Sequence, residues 1–472
     1  MKRAIITVGL GFGDEGKGAT VDYLTRKYEA DLVVRYCGGS QAGHNVQLPD
    51  GRRHTFSQFG AGTLAADNYG GKFPTCPQKQ RQVGNLPPQP ARPRTYLGPH
   101  VIIDPLAMAR EAEHLSDLGV HDPARRLTIH SQCLVTTPWL KILNQLRELS
   151  RGAAKHGSCG QGIGEARSYW LKNGADAVFA ADLRQPDVLR HKLELQRQRI
   201  LLELQDFIDR ISDDALQEFG IWDLNTEAIA CDLHEALPPE VTVDAALPEF
   251  QTAIFEGAQG ILLDEYRGFH PHTTWNTVTP HHAWELIHAL GVEAVAVLGI
   301  TRAYTTRHGE GPLPTFNREL TARLQDAGNP WNPWQGSLRC GWLDLPLLRY
   351  AAAVAGTLDG IVVNHLDQMR GSEWLICEAY RDAALSPATA PHLAWQSRLT
   401  EALRQAEPVL SPATPESILR SVSEIAPLAV TGFGPSYEDR CFTELVFRKH
   451  REELEPAMSA VFAQASGRAS SG

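Results

Sequence analysis

The feature that most restricts this chain stands near its start. An apolar, β-branched run, Ala4-Ile5-Ile6-Thr7-Val8, leads into Gly11-Phe12-Gly13-Asp14-Glu15-Gly16-Lys17-Gly18 and then into Ala19-Thr20-Val21-Asp22-Tyr23-Leu24, a helical beginning. Unpaired amides at a helix N-terminus and the aligned peptide dipoles favour an anion there, so strand, glycine turn and helix together predict a phosphate-binding crossover in a parallel sheet. Similar runs recur at Leu32–Val34, Val101–Ile103, Ala253–Phe255, Ala294–Leu298 and Gly360–Val363, most of them separated by helix-like stretches. That alternation predicts an α/β fold with a mainly parallel central sheet flanked by helices.

The 472 residues suffice for one large body with a sizeable core. We expect a single domain over 1–466 with an exposed insertion at 68–94, where Gly, Pro, Gln and Lys replace the apolar pattern. Residues 183–219, rich in Leu, Gln, Glu and Arg at helical spacing, read as a helical lobe, and 467–472 as a flexible tail. With 45 Lys plus Arg against 55 Asp plus Glu, the formal charge of −10 argues against nucleic-acid binding by bulk electrostatics. No apolar run approaches the ~20 residues that span a membrane. The start resembles no secretion signal, and eight scattered cysteines without C-x-x-C spacing fit reduced thiols, so a cytoplasmic location is expected.

The glycine loop satisfies two patterns at once. Gly11, Gly13 and Gly16 spell G-x-G-x-x-G, while Gly11 to Lys17 spells G-x-x-x-x-G-K with Gly18 where a P-loop has Ser or Thr. A dinucleotide pyrophosphate would lie against the like charges of Asp14 and Glu15, whereas a carboxylate beside a phosphate needs Mg²⁺ or a proton to take. The P-loop reading supplies Lys17 and leaves a metal ligand to another group, for which Asp14 is suited. The second strand runs into Cys37-Gly38-Gly39-Ser40-Gln41-Ala42-Gly43-His44. Parallel strands deliver their C-terminal loops to one rim, so His44 should face the same crevice as Asp14 as an acid/base candidate.

These residues resemble the adenylosuccinate synthetase family. Gly9 to Gly18 match its G-x-x-W-G-D-E-G-K-G loop with Phe12 in the aromatic position, and Val33 to His44 its V-V-R-Y-x-G-G-x-N-A-G-H segment. Further matches follow in order at 157–164, 255–264, 303–315 and 339–344. Asn364-His365-Leu366-Asp367 is similar to the family's guanine-reading turn with His365 in place of Lys, and Thr431–Pro435 to its last nucleotide loop. The resemblance implies a P-loop-like GTP-binding ligase fold with helical and loop insertions. It also implies a two-step reaction in which a purine 6-oxo group is phosphorylated by GTP and an amino acid, aspartate in the family, displaces the phosphate.

Carried over residue by residue, the resemblance makes Asp14 the general base, His44 a donor to the transferring phosphoryl and Lys17 the cation beside it. Gly13, Glu15, Gly16, Lys17, Gly18, Asn364, Asp367 and Gly434 fall on GTP-binding positions, and Asp14 with the carbonyl of Gly43 on the Mg²⁺ ligands. Gln41, Cys159, Gln259 and Thr274 fall on substrate-nucleotide positions, with Gln41 replacing an Asn and Cys159 a Thr. The donor loop departs furthest. Where the family carries several arginines, Pro333–Trp342 retains only Arg339 as the amino-acid anchor, with Arg302, Arg307 and Arg349 as candidates to restore a dicarboxylate site. The same chemistry on a modified purine nucleotide or other oxo-heterocycle, with a different amine, is therefore the main alternative; a non-catalytic nucleotide-binding homologue is the other. The family is homodimeric, although no Arg aligns with the one it lends across the interface.

Overall fold

The structure is a computed structural model that describes residues 1–65, 93–152, 157–324, 331, 333–388 and 390–449. The expected flexible tail, and all of the expected insertion except Pro93 and Arg94, lie outside these residues. Arg94 itself corrects that boundary: it opens a strand, and its N–H donates to the Asp31 carbonyl at 2.9 Å.

Among the described residues, an eleven-stranded sheet organises the fold. Its centre is β1 (Arg3–Gly9), paired in parallel with strand Thr252–Glu256 on one side and with strand Ala294–Arg302 on the other. After the helix α1 (Lys17–Lys27), β2 (Leu32–Arg35) joins beyond Thr252–Glu256, also in parallel. The other flank adds Gly360–Asn364 and Leu428–Gly432 in parallel, and among the described residues two short antiparallel strands, Arg440–Phe442 and Arg448–Lys449, break the pattern.

The strands read as continuous apolar runs because both faces are covered. Ile5 of β1 packs into one hydrophobic core, while Ala4, Ile6 and Val8 pack into the other; Val33 and its neighbours Leu32 and Val34 divide likewise. That period of two is the pleat expressed in packing, and a one-residue slip would exchange the two sets.

The run Val101–Ile103 departs from the central sheet. Pro99 cannot donate to a ladder, and beyond it only Ile102–Ile103 pairs, in parallel with Leu134–Val135 in a separate two-stranded sheet. Residues 183–219 contain the helix Pro186–Leu204, which buries Leu189, Leu193, Ile200 and Leu204, and the shorter helix Asp213–Phe219 capped by Ser212. No helix among the described residues is long and apolar enough to cross a membrane.

Two smaller sheets complete the rim at the C-terminal ends of the strands. A hairpin of β3 (His44–Gln47) and β4 (Arg53–Phe56) stands over the start of α1. A four-stranded sheet runs from Tyr304–Arg307 through Arg339–Asp344 and Leu375–Tyr380 to Pro408–Pro412.

Candidate active site

The loop after β1 is shaped around its own carboxylate. Glu15 is 2% exposed, and its Oε1 accepts from the N–H groups of Gly11 at 3.0 Å and Gly13 at 2.8 Å. Its Oε2 lies 2.5 Å from the Lys17 ammonium, itself buried. The backbone turns sharply to achieve this, with Asp14 at φ 62° and Gly16 at φ 84°. Asp tolerates the left-handed region better than most residues, and a side chain at Gly16 would also meet the Asn364 amide at 2.8 Å. Burial and three internal donors turn the Glu15 carboxylate into the loop, so the expected GTP-binding role of this position falls to its backbone rather than its side chain.

Asn364 is likewise turned to internal partners. Its amide Nδ2 donates to the Glu15 carbonyl at 2.7 Å and to Thr20 Oγ1 at 3.2 Å, while Oδ1 accepts from Arg440 Nη1 at 2.6 Å. With its donors and acceptor occupied, Asn364 braces the loop against the next strand end.

Asp14 instead faces outward. Its side chain is 23% exposed, and Oδ2 lies 3.4 Å from His308 Nε2, a neighbour the sequence reading did not single out. Across from it, His44 at the start of β3 is 5% exposed. Its Nδ1 sits 2.5 Å from Glu256 Oε1, at the end of the strand beside β1, and Glu256 Oε2 accepts from the Ala61 N–H at 3.0 Å. Burial pushes His44 down to about 4 despite the raising effect of Glu256. The neutral ring therefore gives its proton to the Nδ1–Glu256 contact and presents a lone pair at Nε2, which has no partner among the described residues. His44 can donate to an anion only after taking a proton there, a refinement of the expected donor role.

These groups share a cleft of about 520 Å³ lined by Asp14, Gly16, Lys17, Gly18, Gly43, His44, Asn364 and Gly434, with the β3–β4 hairpin as one wall. Arg53, Arg302 and Arg440 add positive charge, and Asp14 is the single carboxylate among the described lining residues. Cations round one outward carboxylate suit a polyphosphate with a hard divalent ion. The Asp14 carboxylate and the Gly43 carbonyl supply oxygen donors on opposite loops of this cleft, so the residues fit Mg²⁺.

At the far end, His365 takes a left-handed conformation, and its Nε2 accepts from Arg302 Nη2 at 3.0 Å. Burial, with the nearby Arg302 and Arg440, holds that imidazole neutral. Asp367, two residues on and outside the cleft lining, keeps Oδ1 without a partner among the described residues, while Oδ2 accepts from Gln368 at 2.7 Å. The remaining expected residues stand apart from the cleft lining. Gln259 Nε2 donates to Thr274 Oγ1 at 2.9 Å, and the Oε1 atoms of Gln41 and Gln259 are buried without partners among the described residues. Cys159 is half-buried, with burial raising its thiol. Gly13 lines a small void behind the loop.

Arg339 is engaged with backbone: its Nη2 donates to the carbonyls of Gly309 at 2.6 Å and Gly311 at 3.1 Å. Arg307 is more fully committed, donating to the carbonyls of Glu310, Pro312 and His272. Arg349 donates to the Glu378 carbonyl. Arg302, stacked 4.5 Å over Tyr304, lines the cleft and keeps Nε without a partner among the described residues.

The family model for adenylosuccinate synthetase matches residues 6–70 and 79–413. The chain belongs to the adenylosuccinate synthetase family. It is 32% identical over 392 residues to the adenylosuccinate synthetase of Halothermothrix orenii, covering 80% of each chain. To that of Psychrobacter sp. it is 33% identical over 408 residues, covering 83% of each. Among solved structures, fully ligated adenylosuccinate synthetase from Plasmodium falciparum superposes with a TM-score of 0.69 at 20% identity, over 93% of this chain and 99% of that one. A cyanophage S-2L succinoaminodeoxyadenylate synthetase, PurZ, bound to dGMP and to dATP as energy donor, gives 0.56 at 16% identity, over 98% and 99%. These two likenesses show the fold. Family membership makes the protein a ligase of the adenylosuccinate synthetase type, which couples GTP to placing an amino group on a purine nucleotide and uses Mg²⁺ generally.

Proposed function

We propose that the protein joins aspartate to C6 of IMP or an IMP-like nucleotide through a 6-phosphoryl intermediate, with GTP as phosphoryl donor. The observation that carries this reading is the single cleft onto which Asp14, Lys17 and His44 open. Asp14 takes the proton from N1 of the purine, so that O6 attacks the γ-phosphorus and GDP leaves. The amine then adds at C6, and phosphate departs with the former O6. Asp14 and the Gly43 carbonyl would hold Mg²⁺, which when bound neutralises charge on the phosphates. Lys17, freed in part from Glu15, balances the transferring group, and His44, protonated as phosphate charge arrives and supported by Glu256, donates to it from Nε2.

Asp367 reads guanine by accepting from N1–H and the 2-amino group, Gly13, Gly16 and Gly18 let the loop backbone approach the phosphates, and Gly434 borders the base. Gln41, Cys159, Gln259 and Thr274 hold the substrate nucleotide, and Arg339 the amino acid. A homodimer is proposed on the family alone, and a cytoplasmic setting on the described cysteines, all of them free thiols.

One observation favours a second reading. Arg339 shares its Nη2 between two backbone carbonyls. The donor loop therefore offers little free positive charge to a dicarboxylate, and a less charged amine fits it better than it would a loop rich in arginine. Phosphate release with GTP and Mg²⁺ across purine nucleotides and amino acids decides between them. Turnover with IMP and aspartate alone is the expected result; turnover only with another pair establishes the second reading, and none with any pair overturns both.

A further inference from the structure

Away from this cleft, the helix His281–Ala289 opens on His281-His282 with Glu285 one turn later, spacings that set the three side chains on one face. His100, on the turn that follows β5 (Arg94–Leu97), meets them from the neighbouring loop. Glu285 Oε2 lies 2.9 Å from His282 Nδ1 and 3.3 Å from His100 Nε2, and Oε1 lies 3.2 Å from His281 Nε2. One carboxylate thus gathers three imidazoles, and the ligand atoms of His100, His282 and Glu285 all lie within 4.8 Å of one another. None of these residues lines the phosphate cleft.

We propose that His100, His282 and Glu285 bind a divalent transition-metal ion of the zinc class, with His281 beside them as a further donor. Two imidazoles and a carboxylate are a donor set that zinc accepts, leaving a position for a fourth ligand, whereas Mg²⁺ and Ca²⁺ favour sites built of oxygen alone. Bonds of about 2.0–2.1 Å require the donors to draw together from their present spacing. His100 and Glu285, with side chains 35% and 38% exposed, have room to turn, while His282 is anchored in the protein. The ion ties the turn after β5 to the helix and steadies Asn276, whose Nδ2 donates to the His100 carbonyl at 3.5 Å, two residues from Thr274.

The test is calorimetric titration of the chelator-treated full chain with Zn²⁺ in excess Mg²⁺, alongside melting temperature with and without Zn²⁺. We expect one Zn²⁺ per chain, a higher melting temperature, and at least tenfold weaker binding in both His100→Ala and Glu285→Gln. His100 is half-exposed on a turn and Glu285→Gln is nearly isosteric, so circular dichroism should show both variants folded. Co²⁺ should give a visible absorption band that both variants lose. Absence of binding by the wild type overturns the proposal, as does unchanged affinity in the two variants, which would put the ion elsewhere.

Discussion

The phosphate side and the donor side of this protein are built on different terms. On the phosphate side, Glu15, Asn364 and Glu256 are consumed in holding Lys17, the glycine loop and His44, leaving the outward Asp14 and the Nε2 of His44 for chemistry. On the donor side, Arg307 and Arg339 are themselves engaged by backbone carbonyls of residues 309–312. The comparison teaches that residue type alone does not make a site. A buried support leaves its client free to act, whereas an arginine used as support has little left for a ligand.

The largest expected effect tests the first half of that contrast. Asp14→Asn should lower kcat by more than about a hundredfold while the fold persists, since the amide can neither take the N1 proton nor offer full charge to a metal. Single-turnover assays with circular dichroism check this; activity above about a hundredth of wild type would remove the base from the reading.

Glu256→Gln should come next, lowering kcat about 10–100-fold, the usual scale for a group that orients an acting residue. Glu256 raises the pKa of His44 against its burial, so the variant should hold His44 neutral to still lower pH. In the wild type, nitrogen chemical shifts should report His44 as the neutral Nδ1–H form at pH 6. Because the folded value near 4 lies below the ordinary 6.5, the unfolded chain binds more protons between them, and this group destabilises the fold as pH falls through that window. A His44 that titrates near 6.5 in the free enzyme would break the contrast.

Smaller effects probe the two ends of the substrate space. Asp367→Asn should narrow the preference for GTP over ATP by about tenfold, as expected for one charged hydrogen bond exchanged for a mismatched amide. Equal kcat/KM for the two nucleotides in the wild type would refute the guanine role. Arg339→Lys should raise the KM of the amino donor only about threefold to tenfold with kcat nearly unchanged, because a point charge replaces a planar fork that is already partly engaged. Indistinguishable kinetics would move the anchor to Arg302, whose Nε remains unpartnered among the described residues.

The alternation of β-branched runs with helical stretches made the parallel sheet legible, since strands covered on both faces leave continuous apolar runs. The order strand, glycine turn, helix likewise made the phosphate loop legible. The inward turn of Glu15 was not, because Asp14 and Glu15 are equivalent as letters and only the left-handed backbone at Asp14 sends one out and the other in. Glu256 and His308 reach their partners over 212 and 294 residues of chain, distances at which no periodicity speaks. One signal for Glu256 did exist: a lone acid closing an otherwise apolar buried strand requires a partner, and His44 at a neighbouring strand end was available to be that partner.

The carboxylate of Glu15 also bears on how fast a nucleotide is captured. Having gathered the amides of Gly11 and Gly13 and the ammonium of Lys17 into one turn, it keeps the loop from sampling collapsed shapes between turnovers. On the proposed reading, a triphosphate entering the cleft would meet a loop whose turn is already set, so that little beyond the shift of the Lys17 ammonium away from Glu15 would have to be ordered for it to dock.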